Sequence, residues 1–362
     1  MKLILTSEQT LLRDSADRFI EAAGPKVARG FRDRTPGFSP ERLRQAGALG
    51  WLGILVPESA GGLALGLTEL ALVMEQAGRG LVCEPVGLAA ISAAALGQGP
   101  HPMLEKALSG AALVVPALQE TAYGDDPLRP RTVAEEARGG LRLTGRKQFV
   151  AADGADGFLV AATGRDGPVL GYVARQAAGC TFTSMPTVDG RGIATLDLES
   201  APADLIPAHP PSGNAVEALH HLALVALAAE LLGIMDKAQE MTLDYMRIRT
   251  QFGKPIGSFQ ALQHQAANMY IRIEATRSLV FQIAANNEPF RIDPAMAVAA
   301  KAKASDEALA VTKACIQLHG AIGFTDEHDI GLYLKRAMLL SALFGNAAAQ
   351  RRRYVTLAEL TA

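Results

Sequence analysis

The sequence predicts an α+β protein in three consecutive parts: a helical beginning, a middle of antiparallel strands, and a helical end. Three observations carry this. Alanine-rich stretches with helical spacing fill the first 110 residues, short runs rich in Val, Leu, Thr and Phe begin at residue 111, and long helical patterns resume after a Pro-rich connector. The expected boundaries are therefore 1–110, 111–205 and 206–362. A chain of 362 residues is too long for one ordinary domain, and two to three are expected.

In the first part the helical spacing covers 8–23, 40–49, 68–78, 88–96 and 103–108, and Pro57, Gly61 and Gly62 punctuate it as a loop. In the middle, ALVVPAL, RTVAEEA, LRLTGRKQFV, FLVAAT, VLGYVA, CTFTS and ATLDLES read as strands. Gly139-Gly140 and Asp166-Gly167 lie between such runs as turn signals, which favours hairpins over βαβ units. The connector 202–211, PADLIPAHPP, ends the strand region. Beyond it, helices at about 214–249, 259–286, 294–319 and 329–360 make a four-helix bundle. Such helices bury too little surface in one subunit, so an oligomer is expected.

Composition narrows the function. Lys plus Arg total 35 against 37 for Asp plus Glu, and a formal charge of −2 leaves no field to draw nucleic acid or anionic lipid. The apolar run LALVALAAELL, at 222–232, is shorter than a membrane span and contains Glu230, so it reads as a buried helix. Neither nucleic acid nor membrane is expected as a partner. Glu8, Arg13 and Asp14 interrupt any signal-peptide pattern, and Cys83, Cys180 and Cys315 are few and scattered, which together suggest a cytoplasmic protein. No GxGxxG, GxxxxGK[ST] or GxSxG pattern occurs, and the adjacent His220 and His221 diverge on a helix and cannot share a metal.

Two segments carry chemistry. Between two helices the chain reads Arg249-Thr250-Gln251-Phe252-Gly253-Lys254, a cationic turn followed by Phe259 and Gln260. An Arg offers a planar donor fork to a pyrophosphate, a Phe a flat face, and a Gln donor and acceptor groups for a heterocycle's edge. Farther on, Gln317-Leu318-His319-Gly320-Ala321-Ile322-Gly323 ends a helix with two glycines, one more than a helix stop requires.

With LGWLGILVPESAGGLALGLTELALVMEQAGRG at 49–80, LTGRKQFVAADGADGFLVAA at 143–162, MRIRTQFGKPIGSFQALQH at 246–264 and CIQLHGAIGFTDEHDIGLYLKRA at 315–337, the chain resembles the acyl-CoA dehydrogenase family over its whole length. The resemblance implies a helical N-terminal domain, a β-barrel-like centre and a C-terminal four-helix bundle. It also implies FAD, an acyl-CoA substrate, a tetramer and an electron-transfer flavoprotein as acceptor. In this family each flavin is shared between subunits. By resemblance, Arg249, Gln251, Phe252 and Gln260 belong to the segment that meets a partner's pyrophosphate and adenine, and Gln317, Leu318, Gly320 and Ala321 close over the same end, with Ala321 in place of the family's second glycine.

The other half of the pattern is broken. Family chemistry needs a carboxylate to take the α-proton while a hydride passes to the flavin. The position that usually holds it is Gly345, and the alternative position is Ala223, so no catalytic base is identified. Ala347 and Ala349 replace polar residues that contact the subunit's own flavin, and Asp125 stands where a hydroxyl usually faces it. Phe149 and Ala151 replace the usual Trp and Thr. Glu230, the one acid in the apolar run, lies about 10 Å beyond Ala223 along a helix, too far to substitute. The expectation is a non-catalytic subunit of an α2β2 acyl-CoA dehydrogenase that gives adenosine-end contacts to a partner carrying the Glu. Two alternatives stand beside it: a self-sufficient homotetramer with an atypical base, and a flavin-free acyl-CoA-binding scaffold.

Overall fold

A computed structural model describes residues 4–21, 24–121, 126–137, 140–151, 153–208 and 213–361. The first part holds α1 (Ser7–Glu21), α2 (Gly24–Phe31), α3 (Pro40–Ala48), α4 (Leu67–Arg79), α5 (Val86–Leu96) and α6 (Leu104–Leu108). Ser39 caps α3 by accepting from the Arg42 amide, and Pro40 opens the helix where a missing N–H costs nothing. α2 was not expected from apolar spacing, and the reason is physical: none of its residues is buried. Ala28 and Phe31 pack partly on the core, and ion pairs add to this, Arg29 on Asp329 at 2.9 Å and, just past the helix, Arg32 on Asp326 at 2.8 Å.

All seven expected strands form: β1 (Val114–Ala117), β2 (Val133–Ala137), β3 (Gly140–Val150), β4 (Gly157–Gly164), β5 (Gly167–Ala174), β6 (Cys180–Pro186) and β7 (Gly192–Ile206). Pairings β4 to β2, β2 to β3, β3 to β7, β7 to β5 and β5 to β4 close a ring, with β1 joined to β4 and β6 to β7. The domain is barrel-like but not wholly antiparallel. β1 runs parallel to β4, as does β2 at Val133 opposite Thr163, because β2 and β3 intervene as the long crossover that a parallel pair needs. The turn at Asp166-Gly167 is a tight hairpin closing Gly164 against Gly167, whereas Gly139 lies outside the described residues. The connector also starts later than its prolines suggest: 202–206 belong to β7, held by pairing with β3 and β5.

The last part contains α7 (Ala215–Ile248), a hairpin of β8 (Thr250–Gln251) and β9 (Lys254–Pro255), α8 (Gln260–Asn286), α9 (Pro294–His319), α10 (Ile330–Ala342) and α11 (Ala347–Thr361). Asn214 caps α7 through the Val216 and Glu217 amides, and Asp293 with Pro294 opens α9. The fourth expected helix is in fact two. It breaks between Ala342 and Ala347, where Phe344 and Gly345 take the left-handed φ values of 54° and 96° that no helix continues through. α7 is long and apolar enough to cross a membrane by composition, yet 94% of its most apolar window is buried inside the protein. It crosses α4 at backbone contact: a Cβ on Gly78 would stand 2.0 Å from the Glu230 carbonyl, and one on Gly233 1.8 Å from the Glu75 carbonyl.

Candidate cofactor site

Two regions carry the residues singled out in the sequence. In the first, α7 ends at Arg249, whose amide donates to the Tyr245 carbonyl at 2.9 Å. The chain then reverses through β8 and β9, with Phe252 and Gly253 both left-handed at the turn, as a two-residue hairpin requires. Arg249, Gln251 and Gln260 are exposed, and Phe252 is 92% exposed, with its ring edge-on to Phe259 at 6.1 Å. Among the described residues Arg249 has no ion-pair partner, although Arg247 and Lys254 beside it are engaged with Asp244 and the Phe259 ring.

α9 ends at the same end of the bundle. Tyr245, one turn before Arg249, stacks on His319 with ring centroids 4.6 Å apart. His319 is buried and its imidazole pKa is pushed down by that burial, keeping it neutral against His328. Gln317, Gly320 and Ala321 are exposed, and Gly320 has φ of 64° with nothing within 4 Å of an added Cβ. Leu318 is placed differently: its side chain packs into the core, 6% exposed. The structure thus brings seven of the eight residues to the open surface at one end of the helices, free to meet a group held elsewhere.

The second region lies between the barrel and the break from α10 to α11. Gln119, two residues past β1, is held on β3 by its carbonyl, which accepts from the Gln148 amide at 2.8 Å beside Phe149. Glu120 is buried and accepts from Lys147 Nζ at 2.6 Å, from the Arg131 and Thr132 amides, and from Thr132 Oγ1. Burial works to raise its pKa, but Lys147 and these donors outweigh it and hold the carboxyl below its usual range. Gly345 and Ala223 are both buried and offer no proton acceptor. Asp125 lies outside the described residues, and Phe149 and Ala151 are half-buried.

Glu230 is ion-paired. Arg336 reaches its Oε1 at 2.7 and 2.9 Å and also bonds Asp189 at 3.2 Å, so the acid is a buried structural partner and not a free base. Burial acts to raise the Asp189 pKa, yet Arg191 and Arg336 keep it below the ordinary value. This network sits at one side of a cavity of about 50 Å³ lined by Ala151, Ala226, Leu227, Leu340 and Leu343. Small-molecule sites usually offer roughly 300–1,000 Å³.

Comparison with known proteins decides the family. The model of the acyl-CoA dehydrogenase N-terminal domain matches residues 6–104, and that of the C-terminal domain matches 214–356. Acyl-CoA dehydrogenase IpdE2 of Mycolicibacterium smegmatis is 30% identical over 356 residues, covering 96% of this chain and 98% of its own length. The chain belongs to the acyl-CoA dehydrogenase family. Among solved structures, a variant of the steroid ACAD Tcur3481-Tcur3483 superposes with a TM-score of 0.90 at 31% identity, covering 98% of each chain. The ChsE4-ChsE5 complex from Mycobacterium tuberculosis gives 0.87 at 26%, covering 100% of this chain and 99% of that one.

FAD is the cofactor of acyl-CoA dehydrogenases, and the two regions of this member fit it unequally. The exposed end supplies an unpaired guanidinium, a bare aromatic face and a glycine open to close approach, which suits a pyrophosphate and adenine. The cleft does not suit a flavin ring, since its walls are already joined by hydrogen bonds. Three residues of those walls were not singled out as structural elements by sequence: Gln119, Gln350 and Lys301. Lys301 and Lys303 look alike in an alanine-rich helix, and only the packing buries the first completely.

Proposed function

We propose that this chain is the cofactor-completing subunit of a heteromeric acyl-CoA dehydrogenase. Its Arg249 hairpin and Gln317–Ala321 turn hold the pyrophosphate and adenosine end of an FAD whose ring sits in a homologous partner. One observation carries the reading: both positions for the family's base, Gly345 and Ala223, are without a carboxylate, while the partner-facing residues stand exposed. When bound, FAD accepts the hydride removed from the acyl β-carbon. The chain's own part is binding and orientation: Arg249 neutralises phosphate charge, Phe252 offers its face to the adenine, and Gly320 lets backbone approach the dinucleotide. The partner supplies the carboxylate that takes the α-proton.

Two of the similar structures are named as paired components, Tcur3481 with Tcur3483 and ChsE4 with ChsE5, and the first is a steroid ACAD. These support a two-component assembly acting on a steroid-type acyl-CoA; an electron-transfer flavoprotein as acceptor rests on the family resemblance alone. Purifying the chain alone and again after co-expression with a homologue that carries the Glu tests this by visible absorbance. Flavin is expected only in the co-purified complex; a chain that retains a full complement of FAD alone and is bleached by acyl-CoA refutes it.

A further inference from the structure

The wall-to-wall contact in the cleft centres on one residue. Phe344, at the break between α10 and α11, has both backbone polar groups taken by side-chain amides from opposite sides. Its N–H donates to Gln119 Oε1 at 3.0 Å, and its carbonyl accepts from Gln350 Nε2 at 2.6 Å. Gln119 comes from the barrel wall and its own Nε2 is fixed on the Thr121 carbonyl at 2.9 Å, while Gln350 lies in α11. One residue on, the Gly345 carbonyl accepts from Lys301 Nζ at 3.3 Å, which ties the break to α9 as well. Gln119, Phe344 and Gln350 are all buried.

A flat ring lying between two walls needs about 3.5 Å of contact distance on each face, roughly 7 Å in all. Here the barrel wall and the helix break are hydrogen-bonded to one another at 3.0 Å. The bond also lies beside Phe149, in the segment that faces the flavin in the family, and next to Gly345, where the family's carboxylate would face it from the other side. Opening the cleft would strip Gln119 from the buried Phe344 amide, a costly loss, while the local bond from Gln350 holds the break in place.

We infer that Gln119 and Gln350 form a clamp on Phe344 that excludes a flavin ring from this chain's own cleft, and so decide which half-sites of the assembly are filled. The inference rests on the proposed function, but it concerns the closed cleft and not the exposed end. The clamp is a specificity device: a shorter residue at 119 would leave the Phe344 amide free to move away from the barrel.

The test uses riboflavin, which carries the ring without the phosphates and so does not depend on the exposed end or on a partner. Fluorescence titration of the full-length chain is compared with Gln119→Ser/Gln350→Ala, with hydrogen exchange at the Phe344 amide followed in parallel. Wild type is expected to leave riboflavin unquenched and the amide protected. The double variant is expected to exchange faster and to bind riboflavin at one site, with a gain of roughly tenfold or more for the net hydrogen bonding removed. Should the double variant fold poorly, Gln119→Asn, one methylene shorter, is expected to give the same change in smaller degree. Riboflavin bound by the wild type, or faster exchange without riboflavin uptake, overturns the clamp. Neither result touches the proposed function, which fails only if FAD stays bound to the chain purified alone.

Discussion

The two regions that the family resemblance marks for cofactor handling differ in how their polar groups are used. At the end of α7 and α9 the marked side chains other than Leu318 are exposed, and the Arg249 guanidinium has no ion-pair partner among the described residues. In the cleft the corresponding groups are buried and bonded to one another, from Glu120 on Lys147 to Gln119 on Phe344, with Gln350 Oε1 left without a partner among the described residues. An unspent donor set at a surface is a binding asset, whereas a spent one in the interior is a fold contact. Substitutions in the first region should therefore change flavin content with little effect on stability, and those in the second, apart from the Gln119 and Gln350 clamp itself, should do the reverse.

The largest effect is expected in the cleft. Glu120→Ala takes the carboxylate from a fully buried Lys147, and removing one partner of a buried pair costs about 3–5 kcal/mol. Urea unfolding should show it as a lower midpoint, with the flavin content of the folded complex unchanged. The pH dependence has a defined sign. Because the folded state holds this carboxyl below its usual range, the wild type has the stabilisation above a pH of about 4 and loses it as the pH falls further, while the variant lacks that step. Loss of flavin at unchanged stability would reverse the assignment of the two regions.

Next in size is Arg249→Ala. A hydrogen bond to a charged group contributes about 1.5–3 kcal/mol, so flavin retention in the assembled complex should weaken roughly 10- to 100-fold. The exposed site should leave unfolding within about 0.5 kcal/mol of wild type. Unchanged flavin affinity would remove Arg249 from the cofactor.

Much of this contrast was legible in the sequence. The seven strands, α9, and the missing carboxylates at 345 and 223 all stand in the residues themselves, because periodicity and a lost side chain are local facts. The break at Phe344 was missed although Gly345 and Asn346 signal it locally, Asn346 capping α11 by accepting from the Ala349 amide at 2.9 Å; what the sequence does not show is that the buried amides of Gln119 and Gln350, 225 and 6 residues away, take up the Phe344 backbone. α2 escaped because it is short and none of its residues is fully buried: Ala28 and Phe31 pack partly on the core, and Arg29 pairs with Asp329 some 300 residues on. The burial of Lys301 also depends on tertiary packing, which spacing does not encode.

Gly345 sharpens the comparison from inside the break. Its φ of 96° lies in the region that favours glycine, and a side chain there costs about 1–3 kcal/mol. Gly345→Glu, which restores the family's base by sequence, is therefore expected to lower stability by that amount and to give no acyl-CoA-dependent flavin reduction in the chain alone. Reduction by that variant would show that the missing carboxylate, and not the closed cleft, is all that separates this chain from a self-sufficient dehydrogenase.

The smallest effect near neutral pH belongs to Lys301, which donates to Ser305 Oγ at 2.9 Å and to the Ser341 and Gly345 carbonyls across the break. Burial pushes its pKa down to about 7, while an unfolded lysine titrates near about 10.4. Between these values the unfolded chain binds the extra proton, so stability should rise with pH across that window, by at most about 1.4 kcal/mol per pH unit, and be lowest below it where the folded state must bury the charge. Lys301→Met should remove this slope. Near neutral pH its net effect should be small, because relief from burying an ammonium opposes the loss of donors to two carbonyls. Urea midpoints measured at several pH values between about 6.5 and 9.5 read the slope directly, and equal slopes in wild type and variant would mean that Lys301 keeps its proton in the fold and holds the break by charge.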